Sequence, residues 1–180
     1  MIKEMWKTPG MRKKLEKKLV RRWKTENPTV VELGQTREEV SSIFCNDRHV
    51  FCGQHNGSVG VYQLDGQWVR DLTPTERMEG QLFMAGSDGV LAAWSTGGDV
   101  LTVWATKGQM EELHSFQAIK CLSKVDSDHG VHLRITEVKV IDQSKIALLV
   151  TQLVDQKASL VFLKRVEQVW EEKIVASFLC

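Results

Sequence analysis

From residue 40 onward, hydrophobic and polar residues alternate in short runs that are separated by turn sequences. The first four runs fill residues 40–72, with turns expected at Asn46-Asp47, Asn56-Gly57 and Asp65-Gly66. A period of two residues is typical of β-strands, and Asn-Gly or Asp-Gly pairs are typical of hairpins. The pattern predicts four antiparallel strands in one meander, with a type I′ turn at Asn56-Gly57 in which both residues have positive φ.

The same plan occurs twice more along the chain. Tyr62 and Trp104 end the third strand of the first two copies, and they are 42 residues apart. Four-stranded propeller blades repeat every 40–45 residues or roughly so. In a more divergent third copy Phe162 takes the aromatic position, and residues 123–132 form an inserted loop. The sequence therefore predicts an all-β fold of about three blades, near residues 36–72, 81–116 and 133–180, with a β-sandwich or barrel as the alternative.

The first 24 residues have a different pattern, with Met11, Leu15, Leu19 and Trp23 spaced four apart. This spacing predicts one narrow apolar face on a helix. The segment carries ten Lys or Arg and two Glu, whereas the rest of the chain has 14 basic and 21 acidic residues. The division predicts a basic helix and linker at 1–28 before a β domain at 29–180. The arm's candidate contact residues are Lys13, Lys14, Lys17, Lys18, Arg21 and Arg22.

Three functions fit this basic arm. Its narrow stripe favours a helix that docks on a protein domain with its charges in solvent. Contact with nucleic acid is the second interpretation, because the cations would neutralise phosphates. A membrane-surface helix usually has a broader apolar face, so we expect no membrane partner.

The composition indicates the cellular compartment in which the protein is expected. No apolar run reaches the ~18 residues of a membrane helix, and no signal-peptide core follows Met1. Cys45, Cys52, Cys121 and Cys180 form no CxxC pair. They are expected to be free thiols in a reducing compartment, either cytoplasm or nucleus.

Motifs for catalysis or cofactor binding are missing from the sequence. It contains no GxSxG, P-loop, HExxH or Rossmann fingerprint, so we expect neither an enzyme nor a cofactor. The densest group of metal-ligating types is Asp126, Asp128, His129 and His132. An exposed polar loop explains these residues without a metal, and no metal site is predicted.

Several segments resemble the WD-repeat family. Leu33–Val40 (LGQTREEV) is similar to the family's blade opening, and Val50–Tyr62 (VFCGQHNGSVGVY) is similar to its blade core. The segment AGSDG at 85–89 and LTVW at 101–104 match the same core in the second copy. No Asp follows Tyr62 or Trp104, and no Gly-His pair occurs, so the family's Asp–His–Ser–Trp tetrad is expected to be incomplete.

A basic helix, Trp23 and Asn27-Pro28 ahead of the first blade resemble F-box/WD-repeat proteins in particular. The resemblance implies a protein-interaction scaffold that recognises substrates in an SCF-type ubiquitin ligase. In that family the propeller binds a degron, and an F-box binds a Skp1-type adaptor. No F-box precedes Trp6, and closed propellers have about four to eight blades. We therefore expect a fragment of a longer protein; a nucleic-acid-binding propeller and a non-functional fragment are the alternatives.

Arg37, Arg48 and Arg77 fall in predicted turns. If they gathered on one surface, they would suit an acidic or phosphorylated degron, because guanidinium groups form paired hydrogen bonds with such anions. Simple solvation of each arginine is the alternative interpretation.

Overall fold

The computed structural model describes residues 33, 38–78, 80–87, 89–96, 98–122, 132–152 and 156–179. The chain divides into two compact units, residues 1–32 and 33–180. The predicted basic helix, its six candidate cations and Arg37 lie outside the described residues. The elements are β1 (Val40–Cys45), β2 (His49–Gln54), β3 (Val59–Gln63), β4 (Trp68–Leu72), β5 (Leu82–Ser87), β6 (Val90–Ser95), β7 (Val100–Ala105), β8 (Glu112–Gln117), α1 (Ala118–Leu122), β9 (Leu133–Asp142), β10 (Lys145–Gln152), β11 (Lys157–Val166) and β12 (Val169–Leu179).

The strands form three sheets, in the orders β1-β2-β3-β4, β5-β6-β7-β8 and β9-β10-β11-β12. Each sheet is an antiparallel meander of four strands, so the predicted all-β fold with three four-stranded sheets is confirmed. Contacts between sheets involve mainly their first strands, because β1 contacts β5 and β5 contacts β9. The first strands are thus neighbours, and the fourth strands are remote from them.

Two hydrophobic cores fill the spaces between neighbouring sheets. Phe51 and Val61 of the first sheet meet Trp104 of the second in one core. Val103 of the second sheet meets Leu163 of the third in the other. Since successive side chains of a strand point to opposite faces, the second sheet is buried on both sides. All six residues of β6 are buried, which explains why this strand is a continuous apolar run rather than an alternating one.

The turn at Asn56-Gly57 differs from the prediction. Gly57 has a φ of 87°, whereas Asn56 does not have positive φ, so the predicted type I′ turn is wrong. The Gly57 N–H donates to the Gln54 carbonyl at 3.0 Å, and the Gln54 N–H donates to the Ser58 carbonyl at 2.9 Å. This is a three-residue loop that ends in a left-handed glycine. Asn56 Oδ1 accepts the Ser58 N–H at 2.9 Å, a local bond that favours this alternative.

Two features bring the first and second sheets close together. The Ser41 hydroxyl accepts the Leu82 N–H at 3.1 Å, and it also lies 3.1 Å from the Leu82 and Gly53 carbonyl oxygens. Gly86 faces the Phe44 ring, and a Cβ at Gly86 would lie 2.5 Å from that ring. Position 86 therefore requires glycine for β1 and β5 to approach this closely.

Candidate ligand-binding groove

An open depression of about 490 Å³ lies where β1 and β5 end, and we call it the turn groove. It combines the Phe44 ring with polar groups of the β1–β2 turn and of β5. Since β1 and β5 are first strands, the groove opens at one end of the sheets, beside their innermost strands. Its lining residues are Phe44, Cys45, Asn46, Asp47, Gly86 and Ser87.

The β1–β2 turn holds a fixed shape at the edge of the groove. Asn46 Oδ1 accepts the Arg48 N–H at 2.9 Å and the His49 N–H at 2.8 Å. The Asn46 N–H donates to the His49 carbonyl at 3.0 Å. Asp47 and Arg48 are both exposed on this turn. The turn therefore presents the Asp47 carboxylate beside an apolar ring, with the exposed Arg48 as the next residue, a combination suited to a peptide with mixed polar and apolar side chains.

Among the residues that line the turn groove, Cys45 is the one that carries a thiol. Cys45 is exposed, whereas Cys52 is completely buried, and neither forms a disulfide. Burial, followed by the nearby Cys45, raises the pKa of the Cys52 thiol to about 11. Because the thiolate is the reactive form, Cys52 is unreactive at neutral pH and the turn groove offers only Cys45 to a reagent.

The structure does not bring Arg48 and Arg77 together. Arg48 lies between β1 and β2, and Arg77 lies between β4 and β5. Connections in a meander alternate between the two ends of the sheet, so these two are at opposite ends. Contact between Gly57 and Met78 agrees with this arrangement, since a Cβ at Gly57 would lie 2.1 Å from the Met78 carbonyl oxygen. Of the two arginines, only Arg48 belongs to the β1–β2 turn, where it follows the groove residue Asp47.

Two of the three repeat aromatics are almost completely buried. Tyr62 is 1% exposed and Trp104 is 2% exposed. Tyr62 packs over Gly60, where a Cβ would lie 3.1 Å from the Tyr62 ring. Burial, then the neighbouring Cys52 and Asp71, raises the pKa of the Tyr62 hydroxyl. Both side chains are structural, and neither lines the turn groove.

Phe162 is placed differently from these two. It is half-buried, and its neighbours Val161 and Leu163 point to the opposite face, into the core. Leu163 pairs with Ile146 as Trp104 pairs with Leu91, with both pairs facing the preceding sheet. Leu163 is therefore the third-sheet counterpart of Trp104. A shift of one residue reverses the face of every side chain in a strand, which is why the spacing of aromatics misplaced this position.

No metal site is formed by the part of the chain that the structure describes. Among those residues, no three His, Cys, Asp or Glu side chains lie close enough to share an ion. Of the polar loop residues singled out above, Asp126, Asp128 and His129 lie outside the described ranges and only His132 lies within them. No helix among the described residues is long and apolar enough to cross a membrane.

Sequence reasoning missed the main residues of the turn groove. Gly86 and Ser87 belong to the AGSDG segment, whose match to a repeat gave no indication that Gly86 receives the Phe44 ring. This contact joins residues 42 positions apart in different sheets. Phe44 and Gly86 are 42 residues apart, as Tyr62 and Trp104 are. This equal spacing was the signal in the sequence that Phe44 and Gly86 occupy equivalent positions on neighbouring sheets and face each other.

Comparisons with known proteins identify the fold class only. No protein-family model matches the chain, and no curated protein matches it significantly. The Dos1 propeller is similar over 80% of this chain and 38% of its own, with 14% identity and a TM-score of 0.51. The N-terminal domain of Nup159 is similar over 78% of this chain and 38% of its own, with 9% identity and a TM-score of 0.50. The computationally designed Ika4 protein is similar over 84% of this chain and 100% of its own, with 12% identity and a TM-score of 0.51.

These similarities, together with the three meander sheets joined at their first strands, place the described region in the β-propeller class. The chain spans 38% of the Dos1 propeller and 38% of the Nup159 domain. At such low identity the comparison concerns the fold, and it transfers no activity or binding partner.

Proposed function

We propose that this protein is a protein-interaction scaffold that binds a short peptide segment in the turn groove. The observation that supports this proposal is the groove itself, in which the Phe44 ring lies beside the polar Asn46-Asp47 turn. Peptide sites typically combine an apolar pocket with a few polar groups that set orientation. The proposal involves no catalytic step and no cofactor.

Peptide-display selection on the full chain, followed by fluorescence anisotropy with the selected peptide, tests the proposal. Asp47→Arg reverses the exposed charge that lines the groove, and Arg48→Glu reverses the charge of the next residue on the same turn. Each is expected to weaken binding about tenfold, the effect of losing a central polar contact. Asp65→Arg is the matched control, because Asp65 is exposed in the β3–β4 turn at the same end but does not line the groove. The proposal would be contradicted if all three variants weakened binding equally, or if none of them weakened it.

The finer proposal is that the scaffold recognises substrates as part of an F-box/WD-repeat ubiquitin ligase adaptor. Its support is the resemblance of the repeat segments and of the N-terminal layout. Arg48, which follows the groove residue Asp47, is the described arginine that would contact an acidic or phosphorylated degron. A phosphoserine peptide should then bind more tightly than its unphosphorylated form, and Arg48→Glu should remove the difference while Arg77→Glu keeps it. No preference for the phosphopeptide, or no complex of the natural full-length protein with a Skp1-type adaptor, would oppose this role.

Nucleic-acid binding through the basic arm is the second candidate function. Ten Lys or Arg within residues 1–24 support it, because each phosphate contact releases a counterion. Binding of the full chain to single-stranded RNA should then fall steeply as salt rises. Substitution of Lys13, Lys14, Lys17, Lys18, Arg21 and Arg22 by glutamine should flatten that dependence. A salt dependence that these substitutions leave unchanged would remove this function.

A further inference from the structure

The third sheet has an unusual face on the side away from the second sheet. Leu148 and Val161 point into the core shared with the second sheet, so the residues that alternate with them point away from it. Those residues are Ala147 and Leu149 of β10 and Leu160 and Phe162 of β11. All four are only half-buried. They form an apolar centre of two cross-strand pairs, Ala147 with Phe162 and Leu149 with Leu160.

Lysines flank one half of this apolar centre, at the Ala147–Phe162 pair, whereas Glu137 and Ala176 flank the Leu149–Leu160 pair. The strand register places Lys139 of β9 beside Ala147, and Lys173 of β12 beside Phe162. In the next row, Lys145 pairs with Lys164. We call the four apolar residues and these four lysines the lysine-framed patch. Glu137, Asp142 and Glu171 are carboxylates on the same face, so the four lysines face three carboxylates.

Most of these ammonium groups lack a carboxylate partner. Lys145 lies 3.6 Å from Asp142. All four lysines are exposed, and Lys139, Lys164 and Lys173 make no ion pair with any residue in the described ranges. Unpaired cations at the edge of an apolar surface attract a ligand that brings negative charge.

The buried face of the second sheet shows what a sheet needs to accept another sheet. There, Val90, Ala92, Leu101 and Val103 pack against the third sheet, and the titratable His114 of that face has a carboxylate partner in Glu172 of the third sheet. Another sheet of this kind on the lysine-framed patch would remove lysine ammonium groups from water without pairing them, which is unfavourable. A second copy of the patch would place lysines against lysines. Neither occupant suits the patch.

We infer that the lysine-framed patch binds a segment of a partner protein in which apolar side chains alternate with carboxylates. The apolar side chains cover the half-buried centre, and the carboxylates pair with the lysines beside the Ala147–Phe162 pair and in the next row. Val175 and Phe178 on neighbouring β12 are 53% and 48% exposed, and they extend the apolar surface available to such a segment. The patch consists of third-sheet residues alone, so this site does not depend on peptide binding at the turn groove.

Fluorescence anisotropy of the full chain with short synthetic peptides tests this inference. The probe is a peptide of alternating leucine and glutamate, compared with peptides that alternate leucine with lysine or with serine. The leucine–glutamate peptide should bind at least about tenfold more tightly than either of the others, since complementary charge suppresses the wrong partners. Added salt should reduce that preference.

Variants of the full chain locate the site. Lys139→Glu combined with Lys173→Glu should reverse the preference towards the leucine–lysine peptide, and Phe162→Ser should weaken binding of both. Lys120→Glu is the control, because Lys120 is exposed on α1 outside the patch. Circular dichroism identifies any variant that fails to fold. Equal binding of the three peptides, or a preference that the double variant retains, would overturn the inference.

Binding to phosphatidylserine vesicles distinguishes a lipid surface from a protein partner. The inference expects no binding to phosphatidylserine vesicles beyond that of the Lys139→Glu, Lys173→Glu variant. Tight binding to these vesicles that the double variant abolishes, together with no preference for the acidic peptide, would assign the patch to a lipid surface and contradict a protein partner.

Discussion

A single hydroxyl connects three strands where the first and second sheets meet. Ser41 Oγ accepts the Leu82 N–H and lies beside the Gly53 carbonyl, whereas the neighbouring Ser42 Oγ is buried without a described partner. Ser41→Ala leaves the buried N–H unpaired and should lower the free energy of unfolding by about 1–3 kcal/mol. Ser42→Ala, the matched control, should be close to neutral. Urea unfolding of the two variants checks this, and an equal loss in both would contradict the role of Ser41.

Glycine at position 57 is required for two separate reasons. Its φ is 87°, and a Cβ there would lie 2.1 Å from the Met78 carbonyl oxygen. Gly108 also has positive φ, at 68°, but no atom lies within 4 Å of its Cβ position. Gly108→Ala should therefore cost about 1 kcal/mol of stability from backbone strain alone. Gly57→Ala should cost about 3 kcal/mol or more, because the backbone must also move. Thermal unfolding that ranks the two variants the other way would refute this account.

At the residue scale the sequence predicted turn positions better than turn conformations. Asn-Gly and Asp-Gly pairs located the hairpins, but the side chain of Asn56 selected a different turn by bonding to Ser58. Arg48 and Arg77 were found as turn residues, yet their placement at opposite ends follows from the path of the meander. The turn groove was missed because Phe44 and Gly86 meet only when two sheets pack together.

Between the second and third sheets, a histidine makes stability depend on pH. His114 of β8 stacks on Trp170 of β12 with ring centroids 5.9 Å apart, and its Nε2 lies 3.5 Å from Glu172 Oε1. Burial lowers the pKa of His114, and Glu172 and then Glu112 oppose that shift without cancelling it. The unfolded chain therefore binds a proton more readily than the folded protein does.

Stability should consequently fall as the pH drops below the ordinary histidine value of about 6.5. The loss should continue until the pH has passed through the lower pKa of folded His114. Glu172→Gln removes the opposing carboxylate and should extend the loss to lower pH, whereas His114→Gln should remove this component. Urea unfolding at a series of pH values between neutral and mildly acidic measures the effect. A wild-type profile that His114→Gln reproduces would contradict it.

Strands were more predictable than the faces they present. Alternating residues and turn pairs were sufficient to predict the three meanders, since both signals are local. The assignment of Phe162 to the core was wrong. In the third sheet the residue that faces the preceding sheet is Leu163, one position after the residue that the spacing of the aromatics predicts. Its partners, Lys173 on β12 and Ala147 on β10, became known only from the register.

For the whole molecule, the repeat of 42 residues between Tyr62 and Trp104 was the decisive signal, because it distinguishes successive blades from an unrelated set of hairpins. The repeat does not predict which sheet faces are buried in a core and which carry charged residues. The second sheet is buried on both faces, and the third carries lysines on the face that would accept another sheet. Such differences depend on single charged positions rather than on periodicity.

Hydrogen–deuterium exchange across the full chain tests the arrangement of the sheets most directly. Local opening is slowest where a strand is covered on both faces and paired on both edges. We therefore expect the slowest exchange in β6 and β7 of the second sheet, and fast exchange in the perimeter strands β4 and β12. Protection that is equal in all three sheets, or greatest in β4 or β12, would contradict a fold in which the second sheet lies between the other two.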